Sequence, residues 1–346
     1  MPDPIAVRQP SRTPERRSSG GFTLTEMLVV IGIIALLIGI LLVALSAVQE
    51  RARKTQTTNL MEEFGKACET FQQQFGFYPG LVPEAILAGD PKISGTENAI
   101  LHLCGGGVAE DDPAYNSAQF NGWTEITFNV AGGQPFRIKV SASAVGQGPR
   151  IRGVQYKSFF SPKVDELAAV PGQSLAAAGG GDPYANDTYR LPDLVDAWGQ
   201  PVIYMRQMRP QGSLLVSGAV ATEPMTDCIF AFQPILPYIT SVELGNQSQS
   251  QVTRSILRTT PPTNQSATLA QIIRNVSYGA AGSPNAGAPR GAWVLISAGK
   301  DGIFFANNDG PGTQTVVVND IVNASANPKG PYVVNEYDDI RVFGGG

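Results

Sequence analysis

The chain is poor in the side chains that carry out chemistry. It has a single histidine, His102, set among Ile100, Leu101 and Leu103. Any Ser-His-Asp or Cys-His catalytic arrangement would have to use that one ring. No Gly-x-Ser-x-Gly elbow accompanies it, and Gly299-Lys300 lacks the preceding glycine loop of a phosphate cradle. The three cysteines, Cys68, Cys104 and Cys228, have no metal-ligand spacing. Cys104 and Cys228 are open to pairing outside the cytoplasm, which would leave Cys68 on a helix, but an odd count gives no firm disulfide. These absences argue against an enzyme. Charge is also scarce, at 16% of residues with a net −4, and offers no basic surface for nucleic acid. From Met27 to Gln49 there is no charge at all, and no proline falls between Pro14 and Pro79.

That uncharged run is the strongest feature present. Its apolar core, Leu28 to Leu45, is long enough to cross a bilayer as one helix, because about 20 residues at helical rise span roughly 30 Å of hydrocarbon. A secretory signal peptide has a shorter core, roughly 7 to 15 residues, and ends in an Ala-x-Ala-like site. Here Ser46-Ala47 run on into Gln49-Glu50-Arg51 with the helical pattern unbroken, so the segment reads as retained. Ahead of it, residues 1–21 have four arginines against Asp3 and Glu15, leaving 21 Lys plus Arg against 27 acids in the rest. The basic side is expected to stay cytoplasmic and the residues beyond about 50 to lie outside. The leader has no periodicity and reads as disordered. Glu26, at the entrance to the apolar run, needs a reason. Thr23-Leu24-Thr25-Glu26 fits a Ser/Thr-x-x-Glu capping box, and an acid suits a helix N-terminus.

Gly21-Phe22-Thr23-Leu24-Thr25-Glu26-Met27-Leu28-Val29-Val30-Ile31 resembles the prepilin signature of type IV pilins and type II secretion pseudopilins. The resemblance implies cleavage by prepilin peptidase after Gly21 and methylation of the new N-terminus at Phe22. It also implies that Glu26 pairs with the terminal amine of a neighbouring subunit as a filament assembles. An α-amine with a pKa of about 7.7 to 8 is largely protonated at neutral pH, and its attraction to a carboxylate grows in low dielectric.

The helix is expected to continue to about Phe75, because Leu60, Phe64, Ala67, Phe71 and Phe75 form an apolar stripe beside Glu62, Glu63, Lys66, Glu69 and Gln72. The stripe should lie on a sheet formed later, and Gly76 and Pro79 should end the helix. Cys68 to Gly80 and Gly95-Thr96-Glu97-Asn98-Ala99-Ile100-Leu101 are similar to the stem-helix end and short helix of major pseudopilins, with an insertion between them. The family's mid-membrane proline, which would fall near Val43, is missing, so nothing of that kind bends the helix. Strand-like runs follow at Glu125 to Val130, Phe136 to Val140 and Arg150 to Phe160, within an insertion of about 105–190. Asp193 to Tyr204 resembles the Asp-Pro-Trp-Gly-x-Pro-Tyr turn of major pseudopilins, with Trp198 burying a large apolar area, Gly199 permitting a positive φ and Pro201 opening a strand. Cys228 to Tyr238 reads as a strand, 243–268 as an exposed insertion, Thr268 to Val276 as a short helix, Gly282 to Arg290 as a flexible link and Trp293 to Ser297 as a strand.

Ala298 to Phe304, with Asn307, Asn308, Asp309 and Tyr337-Asp338-Asp339-Ile340, resembles the family's C-terminal calcium loop. That resemblance implies Asp301, Asp338 and Asp339 as ligands, with main-chain carbonyls completing the six to eight oxygens calcium takes. The expected fold is α+β and pilin-like: a leader (1–21), a stem helix (22–77, transmembrane over about 27–48) and an exported head (78–346). The helix packs on an antiparallel sheet. The expected function is a structural subunit of a type II secretion pseudopilus, a non-enzymatic protein anchored once in the inner membrane. Its implied partners are prepilin peptidase, copies of itself, other pseudopilins and the inner-membrane assembly platform. A type IV pilus subunit and a signal-anchored binding protein that never polymerises are the alternatives.

Overall fold

In the computed structural model the described residues are 22–130, 132–168, 191–210, 212–216, 228–231, 255, 269–270, 272–275, 288–306 and 337–345. The chain divides into two compact units, Met1–Glu50 and Arg51–Gly346. Helix α1 runs Leu24–Phe75, 52 residues without a proline. In the first unit its large apolar side chains from Leu24 to Val48 are 45–82% exposed wherever they are described. In the second unit the same helix buries one face. Leu60, Met61, Phe64, Ala67, Cys68 and Phe71 recur at helical spacing, each at most 5% exposed. The helix ends where Gly76 takes a φ of +85°.

Two short helices follow, α2 (Glu84–Gly89) and α3 (Gly95–Leu103). Ser94 starts α3 with a capping box: its Oγ accepts from Glu97 N at 3.0 Å while Glu97 Oε2 accepts from Ser94 N at 2.7 Å. The described strands are β1 (Gly107–Ala109), β2 (Thr124–Phe128), β3 (Phe136–Val140), β4 (Arg150–Ile151), β5 (Val154–Gln155) and β6 (Leu167–Ala168). They continue with β7 (Asp193–Leu194), β8 (Ile203–Arg206), β9 (Ser213–Val216), β10 (Cys228–Ala231), β11 (Trp293–Ser297) and β12 (Ile340–Gly344).

The sheet that carries α1 has the order β12-β11-β8 and is antiparallel throughout, with Leu295 opposite both Val342 and Tyr204. Its middle strand is buried on both faces, and the period of two splits it between two cores. Trp293 and Leu295 join the α1 stripe, Tyr204 and α3 residues Ala99, Ile100 and Leu103. Val294 and Ile296 join Leu215, Phe230, Ile272 and Ile273 on the far side. A third core lies between α2, α3 and the separate β1-β3-β2 sheet, around Leu87, Leu101, Ile126 and Ile138.

The structure corrects several details. Arg150 to Phe160 is not one strand but the β4–β5 hairpin, turned at Arg152 (φ 52°) and Gly153 (φ 79°). The rest of that run is held otherwise: Phe159 N donates to Leu103 O at 2.9 Å, and its ring meets Phe71 and Phe75 edge-on. Of Cys228 to Tyr238 the described strand is β10, which pairs with β9 in parallel, so the head is not wholly antiparallel. Within the expected flexible link Pro289 bridges Arg274, and Arg290 N donates to Ile273 O at 2.9 Å, so its last residues are tied down. All three cysteines are buried, and no disulfide joins them. The leader, the 243–254 and 256–268 stretches and Asn307 to Asp309 lie outside the described residues.

Candidate functional site

The N-terminus is built by Thr23 and Glu26. Thr23 N and Thr23 Oγ1 each donate to Glu26 Oε2 at 2.8 Å, and Glu26 N donates back to Thr23 Oγ1 at 3.3 Å. This is the reciprocal capping box the spacing predicts, and it satisfies helix-end donors that have no partner within the helix. Only one carboxylate oxygen is used. Among the described residues Oε1 accepts no hydrogen bond, and it sits one turn from Phe22, itself 75% exposed. Gly21 lies outside the described residues.

The Trp198 turn is a structural device. Asp196 Oδ1 accepts from Trp198 N and Gln200 N, both at 2.9 Å, and Oδ2 accepts from Ser297 Oγ at 2.7 Å. Burial raises the Asp196 pKa, and the Ser297 hydroxyl and turn N–H groups oppose that rise. Gly199 has the positive φ (80°) that the turn requires, and Ala197 N donates to the buried Thr57 Oγ1 at 3.1 Å. The turn thus fastens the start of β8 to both α1 and β11.

The acidic end of the same sheet gathers Asp301, Asp338 and Asp339. Asp339 is buried, and both of its oxygens accept from Phe305 N at 3.0 Å. Its pKa is raised well above the carboxylate range, first by burial and then by Asp338 and Asp301, with Arg341 and the Phe305 N–H opposing. Asp338 lies against Gly299, and Asp301 Oδ1 accepts from Ile303 N at 2.9 Å. Oxygen-rich turns of this kind suit a hard cation. Among the described residues, however, no three His, Cys, Asp or Glu side chains are grouped to hold a metal. Asp301 Oδ1 and both oxygens of Asp339 thus already accept main-chain N–H groups.

His102 is 7% exposed, its ring edge-on to Phe71 at 4.7 Å between centroids. Its apolar neighbours in sequence foretold the burial but not the cleft it lines, described below. Sequence reasoning also missed Arg206. This arginine ends β8, pairs with buried Glu84 at 3.0 Å, and donates to the carbonyls of Tyr78 and Val82 at 2.6 and 2.9 Å. It ties the chain leaving α1 to the central sheet. A charged residue closing an apolar strand was its only signal.

Residues 16–42 match the prokaryotic N-terminal methylation motif. The chain carries a prepilin-type N-terminus. That motif supports a type IV pilin-like or pseudopilin subunit, structural rather than enzymatic, processed by prepilin peptidase and assembled into pilin-type filaments. The α+β arrangement, with the long apolar helix first and antiparallel sheet after it, is consistent with a pilin-like fold. The first part of α1 is long and apolar enough to cross a membrane, as an anchored prepilin requires. No curated protein and no solved structure matches the chain.

Proposed function

We propose that this prepilin is a structural subunit of a type II secretion pseudopilus. Cleavage between Gly21 and Phe22 and methylation of Phe22 would create the amine that Glu26 of a neighbouring copy receives. The observation that carries this reading is the Glu26 carboxylate: Oε2 caps its own helix while Oε1 accepts no hydrogen bond among the described residues, beside an exposed apolar run. Lipid covers that run before assembly and neighbouring helices cover it afterwards. The basic leader stays cytoplasmic and the head lies outside, in contact with other pseudopilins and the assembly platform. The Trp198 turn and the acidic end of the sheet favour a pseudopilus over a type IV pilus.

The deciding experiment is intact mass and N-terminal sequencing of membrane-extracted protein, with and without co-expressed prepilin peptidase. A chain starting at N-methylated Phe22 is expected. A chain still starting at Met1 beside active peptidase rejects the reading and leaves an anchored binding protein. Surface filaments formed without any loss of secretion on gene deletion would make it a type IV pilus subunit.

Calcium belongs to the same proposal. Asp301, Asp338 and Asp339, with main-chain carbonyls completing the shell, would hold it. Calcium at 100 times its Kd should stabilise the chain by about 2.7 kcal/mol in thermal melts, and Asp301→Asn with Asp338→Asn should remove the effect. A wild-type melt indifferent to calcium would exclude the ion.

A further inference from the structure

We propose that the cleft beside His102 is a binding site for a small oxyanion, carboxylate or phosphate, attached to a planar apolar body. The proposal does not depend on filament assembly. The cleft holds about 840 Å³, within the usual size of small-molecule sites. It opens between the segment leaving α1, the β4–β5 hairpin and the residues after β8, with Phe77 and Tyr78 supplying aromatic wall.

His102 provides the donor. Its Nδ1 accepts from Gly80 N at 3.1 Å, which places the ring proton on Nε2. That N–H has no acceptor among the described residues, although His102 is only 7% exposed and lines the cleft. Burial, with Arg206 nearby, lowers its pKa to about 3, so the ring is a neutral donor at physiological pH.

The charge balance of the lining is positive. Glu84 pairs with Arg206, while the Asp112 carboxylate accepts from the N–H groups of Gly153 and Ala114, each at 2.8 Å. Asp111 and Asp112 are the acids without an arginine partner. Against these two stand three arginines: Arg152 and Arg209, exposed and without a partner among the described residues, and Arg150, whose enclosed Nε has no hydrogen-bond partner. This basic lining sits in a chain with a net charge of −4.

Arg152 carries the argument further. It occupies the left-handed region (φ 52°) at the first position of a two-residue hairpin turn, where Asn or Gly is the unstrained choice. Backbone strain of this kind clusters at ligand-binding sites, where the surroundings hold it in place.

The test uses the full chain in detergent micelles, labelled with ¹⁵N-histidine. A single histidine gives a single set of imidazole resonances. Benzoate and phenyl phosphate are titrated to about 10 mM, with neutral benzamide as the isosteric control. Saturable shifts of Nε2 are expected with either anion, the stronger one naming the oxyanion, and none with benzamide. Arg152→Gln and Arg152→Gly should each weaken binding about tenfold. Arg152→Gly, freed of its strain, should melt no lower than wild type, which separates lost binding from lost fold. No anion shift, an equal response to benzamide, or unchanged binding by Arg152→Gly would overturn the proposal.

Discussion

Glu26 has two jobs that substitution can separate. Gln keeps an oxygen to accept the Thr23 N–H but loses the charge, whereas Ala loses both. Glu26→Gln should weaken the helix start by no more than about 1 kcal/mol and still insert into membranes. If the charge serves assembly, both variants should reduce the filament fraction recovered by shearing about tenfold or more; Gln filaments at wild-type yield would confine Glu26 to capping. His102 gives a second residue-scale expectation, in pH. Its folded pKa of about 3 lies below the unfolded value of about 6.5, so the unfolded chain binds more protons between them. The stability it confers is complete above pH 6.5 and is lost as pH falls towards 3, at up to about 1.4 kcal/mol per pH unit. Buried Glu84, with its pKa raised, acts in the opposite sense, losing stability as pH rises through its folded pKa. The measurement is therefore a difference: urea melts of wild type and His102→Asn, whose amide oxygen can take the Gly80 N–H, should diverge only below about pH 6.5. Parallel curves would mean that the ring is not buried neutral.

At the scale of elements, the α1 stripe was legible because helical spacing alone marks a buried face. What that face meets was not. Gly65 looks like a helix weakness in sequence, yet an added Cβ would stand 2.3 Å from Cη2 of the buried Trp293. Gly65→Ala should therefore destabilise by roughly 1 to 3 kcal/mol despite alanine's better helix propensity. Trp293→Phe in the same chain should recover part of that loss, with a coupling of about 1 kcal/mol or more in a double-mutant cycle; strict additivity would mean the ring moves aside freely. β11 poses the same kind of problem. Its five apolar positions read as a strand, but only packing shows that Leu295 serves the α1 core and Ile296 the far one. Leu295→Ala and Ile296→Ala should each cost about 2 to 5 kcal/mol, since neither face meets water.

The whole molecule divides at Glu50–Arg51, and among the described residues the buried cores lie in the second unit. A chain beginning at Arg51 and exported by a foreign signal should be a soluble monomer by light scattering, with the near-UV circular dichroism of the full protein. The full chain should need detergent, because its apolar run is uncovered. An insoluble truncated chain would mean that the head needs the first unit in order to fold. The prepilin-type N-terminal motif, the membrane-length run, the buried face of the stem and the Trp198 turn were all determined by the sequence itself, because each rests on residues a few positions apart. Tertiary structure alone decided that 203–206 pairs with 293–297 and that β9 and β10 run parallel. It alone decided that Thr57 reaches Ala197 across 140 residues, and that Arg152 shares a cleft with His102. The reason is physical: a pattern of apolar residues says which face must be buried but not what buries it, and that partner lies far along the chain.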